Sequence, residues 1–210
     1  MNNLVWLLST HCLTSERETI MWPIRVAYGL IGCFFVAERL LRQGESAKSL
    51  QEGQADRGST RAIGAAFGLV MLAMLVAPLL NRQSIGRYHG EKAAWSGIAA
   101  MLTGLVLRIW ASRVLGAFYT RTLRTAAGQH LIADGPYRLV RHPGYLGNLL
   151  LWFGAGVATS NWIVASAIAF FMVRAYRYRI RAEEAMLADA FPQEYQGYAS
   201  RTWRLIPFIY

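Results

Sequence analysis

The sequence predicts an all-α, polytopic integral membrane protein with about five transmembrane helices, the last two forming a helical hairpin. Three observations carry this. Of 210 residues, 54% are hydrophobic and only 16% charged, and the mean hydropathy is +0.25, which is too apolar for an ordinary soluble domain. The apolar residues fall in runs of membrane-crossing length. The net charge of +10 comes from basic residues that mostly flank those runs, as at a cytoplasmic membrane surface, so membrane lipids rather than nucleic acid are the expected partner. The two cysteines, Cys12 and Cys33, indicate no disulfide framework, metal site or redox pair.

Taken in order, Leu4–Leu13 is apolar but too short to span, and no basic segment precedes it as a signal peptide requires. Residues 1–20 read either as an interfacial segment or as an extension upstream of Met21. The first span covers about Trp22–Leu41, with Trp22 as an interfacial anchor and Arg25, Glu38 and Arg39 near its ends, within reach of water. A polar loop, Gln43–Thr60, leads to a clean second span, Ile63–Leu80. Its Gly64, Ala65, Ala66 and Gly68 are small enough for close helix packing. After the loop Asn81–Lys92, the third span, about Ala94–Leu115, carries two arginines. Arg113 can snorkel from the end, whereas Arg108 lies deep enough for an inward-facing role in a site. The fourth span, Leu146–Ala158, is short, and Thr159-Ser160-Asn161 caps and turns the chain into a fifth, Trp162 to about Val173. That helix continues, increasingly basic, through Leu187.

Five spans put the termini on opposite sides. With the C-terminus inside, the inner segments hold Arg42, Lys48, Arg57, Arg61, Arg121, Arg124, Arg138, Arg141, Arg174, Arg177, Arg179, Arg181, Arg201 and Arg204. The outer segments hold Arg17, Arg82, Arg87 and Lys92. Fourteen against four is a clear positive-inside bias. It places the C-terminus, and the motif-bearing segments described next, on the cytoplasmic side.

The stretch Gln129–Asn148, QHLIADGPYRLVRHPGYLGN, joins two apolar segments yet concentrates polar and aromatic residues. Gly135-Pro136 marks a turn. Pro143 pushes His142 out of helical geometry and is itself suited to the first turn of a helix. The free donors and positive end of that helix then point at the Tyr137–Tyr145 loop, which suits an anionic or zwitterionic cofactor. Past the fifth span, Arg179 and Glu183 are spaced four apart on a helix, with Glu184 adjacent. Such a pair is a routine helix-surface contact. Next to a dry cavity, however, a carboxylate requires a cationic partner. His130 and His142 lack a Cys/His cluster, so no metal is expected. Tyr195 and Tyr198 read as interfacial anchors.

GPYRLVRHPGYLG, followed by RIRAEEAML and FPQEYQGYASRTWRLIP, resembles the isoprenylcysteine carboxyl methyltransferase family of integral-membrane enzymes. The resemblance covers about Leu105–Pro207, the motif-bearing core of a single domain spanning residues 1–210. It implies transfer of a methyl group from S-adenosylmethionine to a lipophilic or prenylated acceptor that enters laterally from the bilayer. It also implies that Gln129, His130, Leu131, Ile132, Tyr137, His142, Pro143, Gly144, Tyr145 and Glu183 contact that cofactor in a cytosolic pocket. Arg179 would engage the acceptor carboxylate; Arg108, from its depth in the third span and not from the resemblance, is read as a second substrate-side cation. Glu184 would assist Glu183 at the cationic end of the cofactor. Two rival readings are N-methylation of a phospholipid amine, which would use Arg179 poorly, and a non-enzymatic membrane scaffold or transporter subunit. The natural acceptor and the oligomeric state have no signature in the sequence.

Overall fold

Apolar runs bounded by turn residues become helices throughout. The computed structural model describes residues 2–41, 56, 58–88, 90–116 and 131–209, with side chains from Trp22 onward. The helices of the described residues are α1 (Asn2–Leu41), α2 (Ser59–Arg82), α3 (Glu91–Leu115), α4 (Pro143–Ala158), α5 (Trp162–Ala190) and α6 (Pro192–Ala199), with a 3-10 turn at Gly135–Arg138. The first span is the second half of a 40-residue helix that runs back to Asn2 and accommodates Pro23. The short α6 had no counterpart in the pattern of apolar runs.

α2 and α3 are long and apolar enough to cross a membrane by length and composition. α4 has only 16 residues, and the apolar part of α5 gives way to arginines from Arg174. The outward faces stay apolar: Leu75 on α2 is 70% exposed and Val106 on α3 is 65% exposed, the pattern of helices solvated by lipid. Inside, Trp152 of α4 is fully buried and meets Phe34 of α1 and Phe67 of α2 edge-on, at ring-centroid distances of 5.7 and 5.3 Å.

α3 and α4 approach most closely, through glycines on both sides. A Cβ on Gly97 would lie 2.6 Å from the Gly154 carbonyl, and one on Gly147 would lie 2.7 Å from the Gly104 carbonyl. Such backbone-to-backbone contact is how small residues hold helices together in lipid, where no hydrophobic force favours association. Of the small residues expected to pack closely on α2, Ala66 is buried in the core, whereas Gly64 and Gly68 have nothing within 4 Å of a built Cβ.

The turn between α4 and α5 forms as its residues dictate. Ser160 takes φ 56°, and the Asn161 side-chain oxygen accepts from the amides of Ile163 and Val164, capping α5. Its amide donates to Asn81 Oδ1 and the Ile85 carbonyl, at 2.8 and 2.9 Å. The loop after α2 is thereby latched onto the hairpin. This closed end fixes the hairpin, whose open end carries the polar motifs.

Candidate active site

The Pro143 ring has the expected effect. His142 sits at φ −125°, ψ 56°, outside the helical region, and α4 starts at Pro143. His142 is buried and stacks on Tyr145 at 5.5 Å, which stacks on Tyr176 of α5 at 5.0 Å. The Tyr145 hydroxyl donates to Glu183 Oε2 at 2.5 Å and accepts from Arg179 Nε at 3.2 Å. One hydroxyl therefore separates a cation from an anion. Burial first, then the nearby Glu183 carboxylate, holds the Tyr145 phenol far above its ordinary value, so it remains the donor in that bond.

Arg179 is 3% exposed. It is not simply paired with Glu183 along the helix surface. Its Nη1 donates to Asp56 Oδ1 at 2.6 Å and to the hydroxyls of Ser59 and Thr60 at 3.0 Å each. Burial raises the Asp56 carboxyl, but the Thr60 amide and hydroxyl, the Ser59 hydroxyl and the Arg179 charge outweigh it and keep its pKa below the usual value.

The adjacent glutamates have different surroundings. Glu184 accepts from Arg141 Nε at 2.9 Å and lies 2.8 Å from Arg204 Nη2 and 3.3 Å from His142 Nε2. Burial pushes its carboxyl up, yet His142, Arg204 and Arg141 together bring it down to about 2. Arg141 also donates to the Ala199 and Thr202 carbonyls, and its amide pairs with the Trp203 carbonyl at 2.7 Å. Glu184 thus locks the C-terminal segment over the start of α4. Glu183 is more accessible, with its side chain 26% exposed.

Tyr137 is buried in the 3-10 turn, with its hydroxyl 3.5 Å from the Ala111 carbonyl and its own carbonyl accepting from Tyr198 at 2.8 Å. Tyr195 and Tyr198 are both buried, which corrects the interfacial-anchor reading. Burial, offset in part by the nearby Arg141 charge, pushes the Tyr198 phenol up to about 12. Arg108 donates to Glu38 Oε1 at 2.8 Å, and its Nη1 packs against Gly144, where a Cβ would lie 2.8 Å away. Glu38 is therefore buried in a helix-to-helix ion pair instead of reaching water. A half-buried cation from α3 supplies the partner that a carboxylate at that depth requires. Pro143 is buried, Leu131 and Ile132 are half-buried, and Gln129 and His130 lie outside the described residues.

Sequence reasoning missed Asp56, Ser59, Thr60, Tyr176, Asn148 and the Arg141–Glu184–Arg204 lock. Asp56-x-x-Ser59-Thr60 before an apolar run was readable as a helix start, and Tyr176 shares a helix face with Arg179 and Glu183. Asn148 donates to the Tyr176 hydroxyl at 2.8 Å, while its buried Oδ1 has no hydrogen-bond partner among the described residues.

These features fit a cationic cofactor. An accessible carboxylate, stacked aromatic faces and an orphaned buried acceptor together suit a ligand carrying sulfonium and ammonium groups. Among the described residues no group of three His, Cys, Asp or Glu side chains could hold a metal.

The sequence model of the isoprenylcysteine carboxyl methyltransferase family matches residues 97–189, from within α3 through most of α5. Protein-S-isoprenylcysteine O-methyltransferase B of Arabidopsis thaliana is 32% identical over 144 residues, 66% of this chain and 73% of the relative. Protein-S-isoprenylcysteine O-methyltransferase A of the same plant is 31% identical, with the same coverage. Among solved structures, the eukaryotic intramembrane Ras methyltransferase superposes with a TM-score of 0.65 at 20% identity, covering 91% of this chain and 68% of that one. That similarity is one of fold.

Proposed function

The chain belongs to the isoprenylcysteine carboxyl methyltransferase family, and from that premise we propose that it is a membrane-embedded enzyme methylating the carboxylate of an isoprenylcysteine-like acceptor. The observation that carries this reading is the Arg179–Tyr145–Glu183 relay. A buried guanidinium suited to a carboxylate and a carboxylate suited to a sulfonium sit on either side of one hydroxyl. S-adenosylmethionine, when bound, supplies an electrophilic methyl group.

Glu183, the faces of Tyr145 and His142, and the chain around Tyr137, Pro143 and Gly144 hold the cofactor. Leu131 and Ile132 would complete its contacts. Arg179 would orient the acceptor carboxylate toward that methyl group, which would pass from sulfur to a carboxylate oxygen while the C–S electron pair stays on sulfur. An ionised carboxylate has no proton to lose, so the site needs no general base. Its work is positioning in a water-poor environment. Arg108, held by Glu38 under Gly144, supports the start of α4 from the substrate side. Glu184 supports the same segment through Arg141, Arg204 and His142.

In this reading the chain is one domain crossing the bilayer five times, with α4 and α5 as its final hairpin. The positive-inside bias supports a cytoplasmic C-terminus and cofactor site, and the exposed apolar faces support lateral entry of the acceptor. The test is incubation of membranes containing the protein with methyl-labelled S-adenosylmethionine and N-acetyl-S-farnesylcysteine. Base-labile label on the farnesylcysteine is expected. Base-stable label on a phospholipid headgroup would replace this reading with amine methylation, and absence of cofactor binding would leave only a scaffold.

A further inference from the structure

We propose that Asp56 is a positioning residue that fixes the Arg179 guanidinium in the orientation needed to receive the acceptor carboxylate. The inference deepens the functional reading above and rests on it. Asp56 lies outside the segment matched by the family model, 123 residues from Arg179 in sequence, and is fully buried.

Its two carboxylate oxygens have separate tasks. Oδ2 accepts from the Thr60 amide at 3.1 Å, satisfying one open donor in the first turn of α2 from two residues ahead of its N-cap, Gly58. Oδ1 receives Arg179 Nη1 at 2.6 Å and the hydroxyls of Ser59 and Thr60 at 3.0 and 2.9 Å. Those hydroxyls in turn accept from the same Nη1. At its other edge the guanidinium donates through Nε to Tyr145. A planar fork held at both Nη1 and Nε has its plane fixed, and that plane sets the direction from which the guanidinium can meet a second carboxylate. A bond to a first-turn amide alone requires no charge, since an asparagine oxygen accepts it as well as an aspartate oxygen does. An ionised Asp56 opposite a buried arginine is therefore accounted for by Arg179, not by the helix start.

Asp56→Asn is the discriminating variant because it keeps an acceptor for the Thr60 amide and removes the charge. The expected result is a roughly hundredfold fall in kcat/KM for N-acetyl-S-farnesylcysteine, as for a misaligned nucleophile. Calorimetric affinity for S-adenosylmethionine should stay within about twofold of the parent, and Asp56→Asn should cost little more in an Arg179→Lys background. Unchanged acceptor kinetics, fully additive losses in the double variant, or an equal loss of cofactor affinity would each overturn the assignment. If Asp56→Asn fails to accumulate, Ser59→Ala removes one contact of Nη1 and should lower acceptor kcat/KM alone; unaltered kinetics there overturn the assignment too. A parent protein that binds the cofactor but never methylates farnesylcysteine would overturn the acceptor reading and the role of Asp56 together. An active parent with an indifferent Asp56→Asn would overturn Asp56 only.

Discussion

The two ends of the α4–α5 hairpin are built from opposite kinds of polar group. At the closed end the bonds join neutral groups: Asn161 donates to Asn81, Asn81 to the Thr159 carbonyl, Tyr88 to the Val157 and Ser160 carbonyls, and the Trp162 amide to the Gly86 carbonyl. At the open end, the groups that meet are Asp56, Arg179, Glu183, Glu184, Arg141 and His142. Neutral amides satisfied by backbone partners hold a turn at little electrostatic cost. Ionised groups at comparable burial incur a large desolvation penalty that pairing only partly returns. A fold needing rigidity alone would use the first solution at both ends. The charges at the open end therefore point to chemistry, and substitutions at the two ends should fail in different ways.

Arg179→Lys should show the largest effect. An ammonium keeps the charge opposite Asp56 but cannot also occupy the Nε position against Tyr145, so kcat/KM for the acceptor should fall roughly a hundredfold. Steady-state kinetics would decide it, and near-normal turnover would remove the functional distinction between the two ends. Glu183→Gln should weaken S-adenosylmethionine binding by roughly tenfold or more through loss of a charge-assisted contact, measured calorimetrically on folded protein. Asn161→Ala tests the other end. Losing the α5 cap and its bonds to Asn81 and Ile85 should cost about 2 kcal/mol of stability, read from thermal unfolding, while activity per folded molecule stays unchanged. A catalytic defect in that variant would break the comparison.

The mildest effect is a pH dependence confined to the open end. The Glu184 carboxyl is lowered in the folded state from an ordinary 4.5 to about 2. Its contribution is thus fully present above about pH 4.5 and is lost as pH falls toward 2. Hydrogen exchange should show the segment around Thr202 and Trp203 loosening in that window while the Asn161 turn remains protected. Simultaneous loosening of both would mean that Glu184 is not the lock.

Local chemistry was enough for several features of the site. Pro143 fixed the start of α4 through its own ring, Thr159-Ser160-Asn161 made the turn through capping, and the hairpin then carried Tyr145 to Glu183. The partner of Arg179 could not be read this way. Arg179 and Glu183 at i and i+4 predict a surface pair along one helix, whereas the buried arginine is met by Asp56 across the fold, and Tyr145 stands between the two motif residues. Glu38 and Arg108 were legible separately, but not as a pair, for the same reason.

By itself the sequence determined the apolar helices α2 to α5, the hairpin, the polar motif before α4 and the family to which the chain belongs, because these follow from hydropathy, proline and glycine geometry and ordered motifs. Only the tertiary structure decided which helices touch through glycine and which carboxylate faces which arginine. It also divided the adjacent glutamates into a lock and an accessible anion. Pairing of that kind depends on distances between segments far apart in the chain, and in a low-dielectric interior a shift of a few ångströms changes which charge is compensated.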